Sequence, residues 1–285
     1  MIRVGLQWIA RGACTHPEVM TISGGSLCAV EFPAMVGVIR HPTRGMFLFD
    51  TGYDPAFIAA TRPFPERLYR WTTPVRIGED AEWQTWLAAH DIAESEIAGT
   101  IISHFHGDHV AGLGNLAHVP VYCARAGLSQ LRSSGRFARV RRGLLAALVP
   151  PEVDTQARFF EDAPACQLPS AFAPFREARD ILGDGSLLAV ELPGHCAGHW
   201  GLALITEAGQ PVLLAADAVW SGQSITQHRP PPRITTALLG DTRRYRQTLD
   251  LLSRASKNNG ELAILPSHCA ASARKFSATG DNDAG

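Results

Sequence analysis

The chain has 285 residues, 46% of them hydrophobic and 19% charged, and a net charge of −1. This balance gives a globular protein with a sizeable core, as one large domain or two smaller ones. A near-neutral chain is expected to be a poor binder of nucleic acid, and no run of about eighteen apolar residues is present to cross a membrane.

The first residues, MIRVGLQWIARGACTHPEV, lack a basic segment followed by a sustained apolar core, so no signal peptide and a cytoplasmic location are expected. Six cysteines, at 14, 28, 123, 166, 196 and 269, form no C-x-x-C pair and fit reduced thiols. Residues 26–40 and 45–50 are rich in Val, Ile, Phe and Met and are split by the turn HPTRG, so they read as paired strands. The second ends at Asp50, where a carboxylate can orient a metal-binding histidine. Residues 79–90 carry Trp83, Trp86 and Leu87 at helical spacing, on a face expected to be core.

The stretch TIISHFHGDHVAGL, residues 100–113, follows. A β-branched run ends in His104, His106, Asp108 and His109, all of them metal-ligand types within six positions. At a strand end alternate side chains can share one centre, so His104 and His106 are expected to reach one metal while Asp108 and His109 face a second. Residues 114–151 contain no acid, and Arg125, Arg132, Arg136, Arg139, Arg141 and Arg142 alternate with apolar residues. This predicts a basic, helical insertion, placed at about 120–180, that is either a solvated face or a cap over an anionic or acyl substrate.

Beyond Ser186 strands return as LLAVELPGH, GLALIT and PVLLAADAVW, and the first and third stop at His195 and Asp217. Asp217 lies 22 residues beyond His195, enough for one hairpin to bring them together. A helix over 241–255 follows, capped by Asp241 or Thr242, with Tyr245, Leu249 and Leu252 on one face. The last strand, ELAILPSHC, ends at His268. Cys196 and Cys269 each follow one of these histidines, and strand alternation predicts that they point away.

The motif H-x-H-x-D-H, with His195, Asp217 and His268 in order after it, resembles the signature of the metallo-β-lactamase superfamily. The resemblance implies an α/β (α+β) fold, the four-layer αββα sandwich, here as a single domain over 1–285. It implies two divalent metal ions, zinc by donor type, the first held by His104, His106 and His195 and the second by Asp108, His109 and His268, with Asp217 bridging. His199 resembles a supporting position and not a ligand. Cations sharing a water lower its pKa and polarise a carbonyl or phosphoryl oxygen, with Asp108 and Asp217 as catalytic carboxylates.

Zinc β-lactamases place a cysteine where Asp217 stands, flavin-partnered di-iron members place glutamate where His106 stands, and glyoxalase II enzymes continue well beyond the 17 residues that follow His268. The layout most resembles the N-acyl homoserine lactonases, which however often carry tyrosine where Trp220 stands. The expectation is hydrolysis of a lactone or ester in a small acylated substrate, without nucleic acid or membrane as partner. A thioesterase acting on acyl-coenzyme A or an acyl carrier is the second expectation, and a metal-containing regulatory protein with little turnover the third.

Overall fold

A computed structural model describes residues 1–78, 81–116 and 118–278. Among these residues thirteen strands form two mixed sheets. The first takes β1 (Gly5–Pro17), β2 (Ala29–His41), β3 (Gly45–Phe49), β4 (Val75–Arg76), β5 (Ile97–Ile101), β6 (Val121–Cys123) and β7 (Ala157–Phe159), in the order β4-β1-β2-β3-β5-β6-β7. The second takes β8 (Ala165–Gln167), β9 (Glu177–Asp180), β10 (Leu188–Glu191), β11 (Trp200–Ile205), β12 (Pro211–Ala216) and β13 (Ala263–Pro266), in the order β13-β12-β11-β10-β9-β8.

Side-chain alternation explains why the sheets stack as the middle of four layers. In β3, Phe47 and Phe49 join the core between the sheets while Met46 and Leu48 face Trp83, Trp86 and Leu87 of the helix Trp83–Ala89. In β12, Val212 and Leu214 face the inner core while Leu213 and Ala215 face Leu249, Leu252 and Ala255 of the helix Thr242–Asn258. Strands covered on both faces are apolar throughout, as β12 is. The result is the expected αββα sandwich, and no helix among the described residues is long and apolar enough to cross a membrane.

Most of the predicted elements lie where expected, with shifted ends. The helix expected over 79–90 is helical over Trp83–Ala89, with Glu82 just before it, and Glu79 and Asp80 lie outside the described residues. The helix expected over 241–255 runs three residues further, and Asp241 caps it by accepting from the amides of Arg243 and Arg244 at 2.8 and 3.0 Å. β1 was not anticipated. It pairs with β2 along nearly its whole length, but a bulge between Ala10 and Ala13 breaks the alternation that would have announced it.

The basic insertion is helical over Arg125–Ser133 and Arg136–Arg141, with one further turn over Val153–Gln156. It then gives way to β7, β8 and β9, so the helical reading of 120–180 covers only its first part. Strands of three or four residues are too short to display a period. Nor are all its arginines free: Arg125 pairs with Asp162, Arg132 with Asp154 and Arg136 with Glu66, acids supplied from outside the acid-free stretch.

Candidate metal centre

Each candidate residue leaves the end of an apolar strand or the turn just beyond it. β5 ends two residues before Ser103, and the next turn carries His104 and His106 into a short helix, Gly107–Val110, that carries Asp108 and His109. β10 leads through Pro193-Gly194 to His195. A Cβ on Gly194, whose φ is 129°, would lie 2.1 Å from the amide nitrogen of Tyr245, so glycine is needed where this turn abuts the helix Thr242–Asn258. β12 delivers Asp217 through Ala216, whose φ of 45° is a strained value of the kind that collects at functional sites. β13 delivers His268.

All seven predicted ligands come together and all are buried. His106 Nδ1 lies 3.1 Å from His104 Nε2 and 2.9 Å from His195 Nε2. Beside this nest, Asp108 Oδ2 lies 3.5 Å from His109 Nε2 and 3.2 Å from His268 Nε2. Asp217 touches both groups. Its Oδ2 is 3.4 Å from His195 Nε2, 3.9 Å from His104 Nε2 and 3.3 Å from His268 Nε2, while its Oδ1 is 3.4 Å from His109 Nε2. Two ligands each ~2.0–2.1 Å from a tetrahedral zinc stand about 3.3 Å apart, so this spacing suits atoms that share cations. His109 Nε2 and Asp217 Oδ1 are buried, yet neither makes a hydrogen bond of ordinary geometry, which is the state of donors aimed at an ion.

The neighbours fix which nitrogen is left for that purpose. His109 Nδ1–H donates to Asp50 Oδ2 at 2.8 Å and His268 Nδ1–H to the carbonyl of Pro33 at 2.7 Å, so in each the inward nitrogen is Nε2, whose lone pair is available once its proton has left. The Ser103 hydroxyl gives its hydrogen to Asp50 Oδ2 at 2.8 Å, so it accepts from His104 Nδ1 at 3.0 Å and frees His104 Nε2. Asp50 thus lies where the sequence placed it, its own φ at 61°. His199 accepts from the Asp217 amide at 3.1 Å through Nε2 and donates from Nδ1 to the Leu192 carbonyl at 2.9 Å, so both its nitrogens are engaged and it supports Asp217. Trp220 donates from Nε1 to Asp217 Oδ2 at 3.0 Å.

Electrostatics divide the histidines into two sets. Burial pulls His104 and His195 well below the usual imidazole range and His106 to about 4, so the first nest is uncharged. Burial would depress His109 and His268 as well, but the surrounding carboxylates outweigh it and hold both well above that range. Burial pushes Asp108 and Asp217 up, and their histidines outweigh it, taking Asp108 down to about 2 and Asp217 well below the carboxylate range.

The centre forms the floor of a cavity of about 860 Å³ whose walls include Phe32, Leu68, Tyr69, Phe137, Val140 and Leu238. Sequence reasoning had not assigned Tyr69, His16 or Cys14 to this site, and all three line the cavity. A second cavity, of about 690 Å³, adjoins it along Arg141, Leu238 and Leu239 and is also lined by Arg142, Arg179, Arg244 and Cys196. The two cysteines expected to point away behave differently. Cys269 is buried, and its sulfur accepts from the Gly222 amide at 3.2 Å and the Ser272 hydroxyl at 3.1 Å. Cys196 lies beside the histidines: its Sγ and one ring nitrogen from each of His104, His106 and His195 are all within 4.8 Å of one another. β10 has ended by Glu191, so Cys196 stands in a turn, where strand alternation does not govern direction.

An αββα sandwich whose strand-end loops gather histidines and carboxylates at one edge is the architecture of a metallo-hydrolase fold. A family profile described as the metallo-beta-lactamase superfamily matches residues 29–268, and the chain belongs to that superfamily. Among solved structures it is similar to a variant of AiiA from B. thuringiensis with N-decanoyl-L-homoserine bound at the active site, at 17% identity and a TM-score of 0.72 over 96% of each chain. It is similar to an N-acyl homoserine lactone hydrolase with the product N-hexanoyl-L-homoserine bound at the catalytic metal center, at 17% identity and a TM-score of 0.73 over 96% of each chain. It is also similar to AidC, described as a dizinc quorum-quenching lactonase, at 11% identity and a TM-score of 0.61 over 95% of this chain and 92% of that one.

Proposed function

We propose that the protein is a metal-dependent hydrolase that opens a lactone or ester carbonyl in a small acylated substrate. The observation that carries this reading is the convergence of seven donor side chains, five of which (His106, Asp108, His195, Asp217 and His268) line a largely apolar cavity. In this reading His104, His106 and His195 hold one divalent cation, Asp108, His109 and His268 hold another, and Asp217 serves both. Imidazole and carboxylate donors suit zinc. When bound, two such cations lower the pKa of a shared water and polarise the carbonyl oxygen. The chain's own residues do the rest: Asp108 would orient the attacking water by accepting a hydrogen bond from it, Asp217 is held in place by Trp220 and His199, and the apolar wall would take the acyl chain. The acyl-homoserine molecules bound in similar solved structures support an acyl substrate.

Elemental analysis of reconstituted protein should give about two cations per chain, and at most one would sink the dinuclear assignment. Without cations the carboxylates beside His109 and His268 outweigh burial and favour their protonated forms. Cation uptake must therefore release protons, and affinity should rise as rising pH strips them. Calorimetry in two buffers of different ionisation enthalpy reads this directly. Turnover is tested with lactones, esters, acyl thioesters and phosphodiesters, and activity confined to phosphodiesters would overturn the carbonyl reading.

One observation favours the thioester as a second reading: Arg141, Arg142, Arg179 and Arg244 line the adjoining cavity and could receive an anionic carrier group, although Glu161, Glu191 and Asp241 line it too. Arg139 donates to the carbonyl of Leu131 in the preceding helix and Arg142 to that of Ala138 in its own, so both are engaged within the insertion. Arg141 lines both cavities. Arg141→Ala should therefore raise KM for an anionic thioester roughly 2–5-fold at low salt, the worth of a solvated charge pair, and less at high salt. A neutral lactone should show no change, and steady-state kinetics at two salt concentrations separates the two.

A further inference from the structure

Cys196 has no place in the ligand assignment above. Its Sγ nevertheless lies within the same 4.8 Å cluster as ring nitrogens of His104, His106 and His195, the three side chains of the uncharged nest. Among the described residues its sulfur makes no hydrogen bond, whereas Cys269, one residue after the last histidine, spends its sulfur on Gly222 and Ser272. The turn that follows Gly194 brings two consecutive side chains, His195 and Cys196, to one centre. Cys196 is also one of the residues that line the second cavity.

We propose that Cys196 supplies a thiolate ligand to the cation held by His104, His106 and His195. The thiol proton leaves to solvent as the sulfur–metal bond forms, so no other reactant is needed. Imidazole and thiolate are ligands that zinc accepts together. The consequence is asymmetry between the two cation positions. The position at Asp108, His109 and His268 has only nitrogen and oxygen donors, while the one with Cys196 gains a soft, negatively charged donor that favours zinc or cobalt over magnesium or manganese.

The inference rests on the reading that this cluster takes two cations, and cobalt(II) tests the two ideas separately. Cobalt bound to thiolate shows a near-ultraviolet sulfur-to-metal charge-transfer band, whereas cobalt bound only to nitrogen and oxygen does not. Wild-type protein loaded with cobalt should show the band, and Cys14→Ser and Cys269→Ala should keep it. Cys196→Ser and Cys196→Ala should lose it. In a chelator competition both Cys196 variants should bind their first zinc at least about tenfold more weakly, the loss seen even when a group outside the ligand shell is removed. Failure to take up two cobalt ions would overturn the two-cation reading itself. Full uptake without the band, or a band that survives in Cys196→Ser, would overturn only the thiolate. Should the Cys196 variants not fold, the wild type decides: absence of the band, or its loss in Cys14→Ser or Cys269→Ala, refutes the assignment.

Discussion

Asp217→Ala should abolish hydrolysis, a fall of roughly a thousandfold or more, equivalent to about 4 kcal/mol in barrier. Asp217 lies within 4 Å of donor atoms in both nests. Its loss would leave Trp220 Nε1–H without an acceptor and would deprive His109 and His268 of a carboxylate that stabilises them. Both cation positions should weaken together. Cys269→Ala is the matched comparison, because Cys269 adjoins His268 in sequence while its sulfur bonds to Gly222 and Ser272 away from the centre. Its activity should stay within about tenfold of wild type. Measured kcat/KM and metal content decide, and equal losses in two folded variants would show that Cys269 belongs to the site.

The parts of this site that were readable in the sequence share one physical cause. Strands covered on both faces are apolar throughout, so the residue at which the run stops is conspicuous, and β12 and β13 stop at Asp217 and His268 in this way. The hidden parts depend on contacts between distant residues. β1 escaped notice because a bulge shifts its alternation, and the short β7, β8 and β9 have no period to detect. The insertion looked uniformly basic because Glu66, Asp154 and Asp162, which pair with three of its arginines, lie outside the acid-free stretch. Its return to the metal motif was also invisible: the backbone of His106 bridges to Leu144, and the Gly107 amide donates to the Gly143 carbonyl at 3.2 Å. Cys196 stands in a turn, where strand alternation does not set direction, and its Sγ comes close to the histidines.

Asp50 provides the second large effect, exerted from outside the donor cluster. Its fully buried carboxylate accepts from the Ser103 amide, the Ser103 hydroxyl and His109 Nδ1, each at 2.8 Å. Asp50→Ala would strand several of these donors, at about 1–3 kcal/mol for each one left unsatisfied, so it should lower the unfolding free energy markedly. Asp50→Asn separates stability from metal binding, because it keeps the side-chain volume and one acceptor oxygen. Where its amide group faces His109, the imidazole must move its proton from Nδ1 to Nε2 and lose the lone pair aimed at the centre. Cation affinity at the position of Asp108, His109 and His268 should then fall about 10–100-fold, the usual cost of removing a group that orients a ligand histidine. Chelator competition measures the affinity, and nitrogen NMR of the imidazole reports the tautomer. Unchanged affinity in a folded Asp50→Asn protein would mean that Asp50 merely shapes the turn after β3 and has no part in setting how His109 presents its nitrogen.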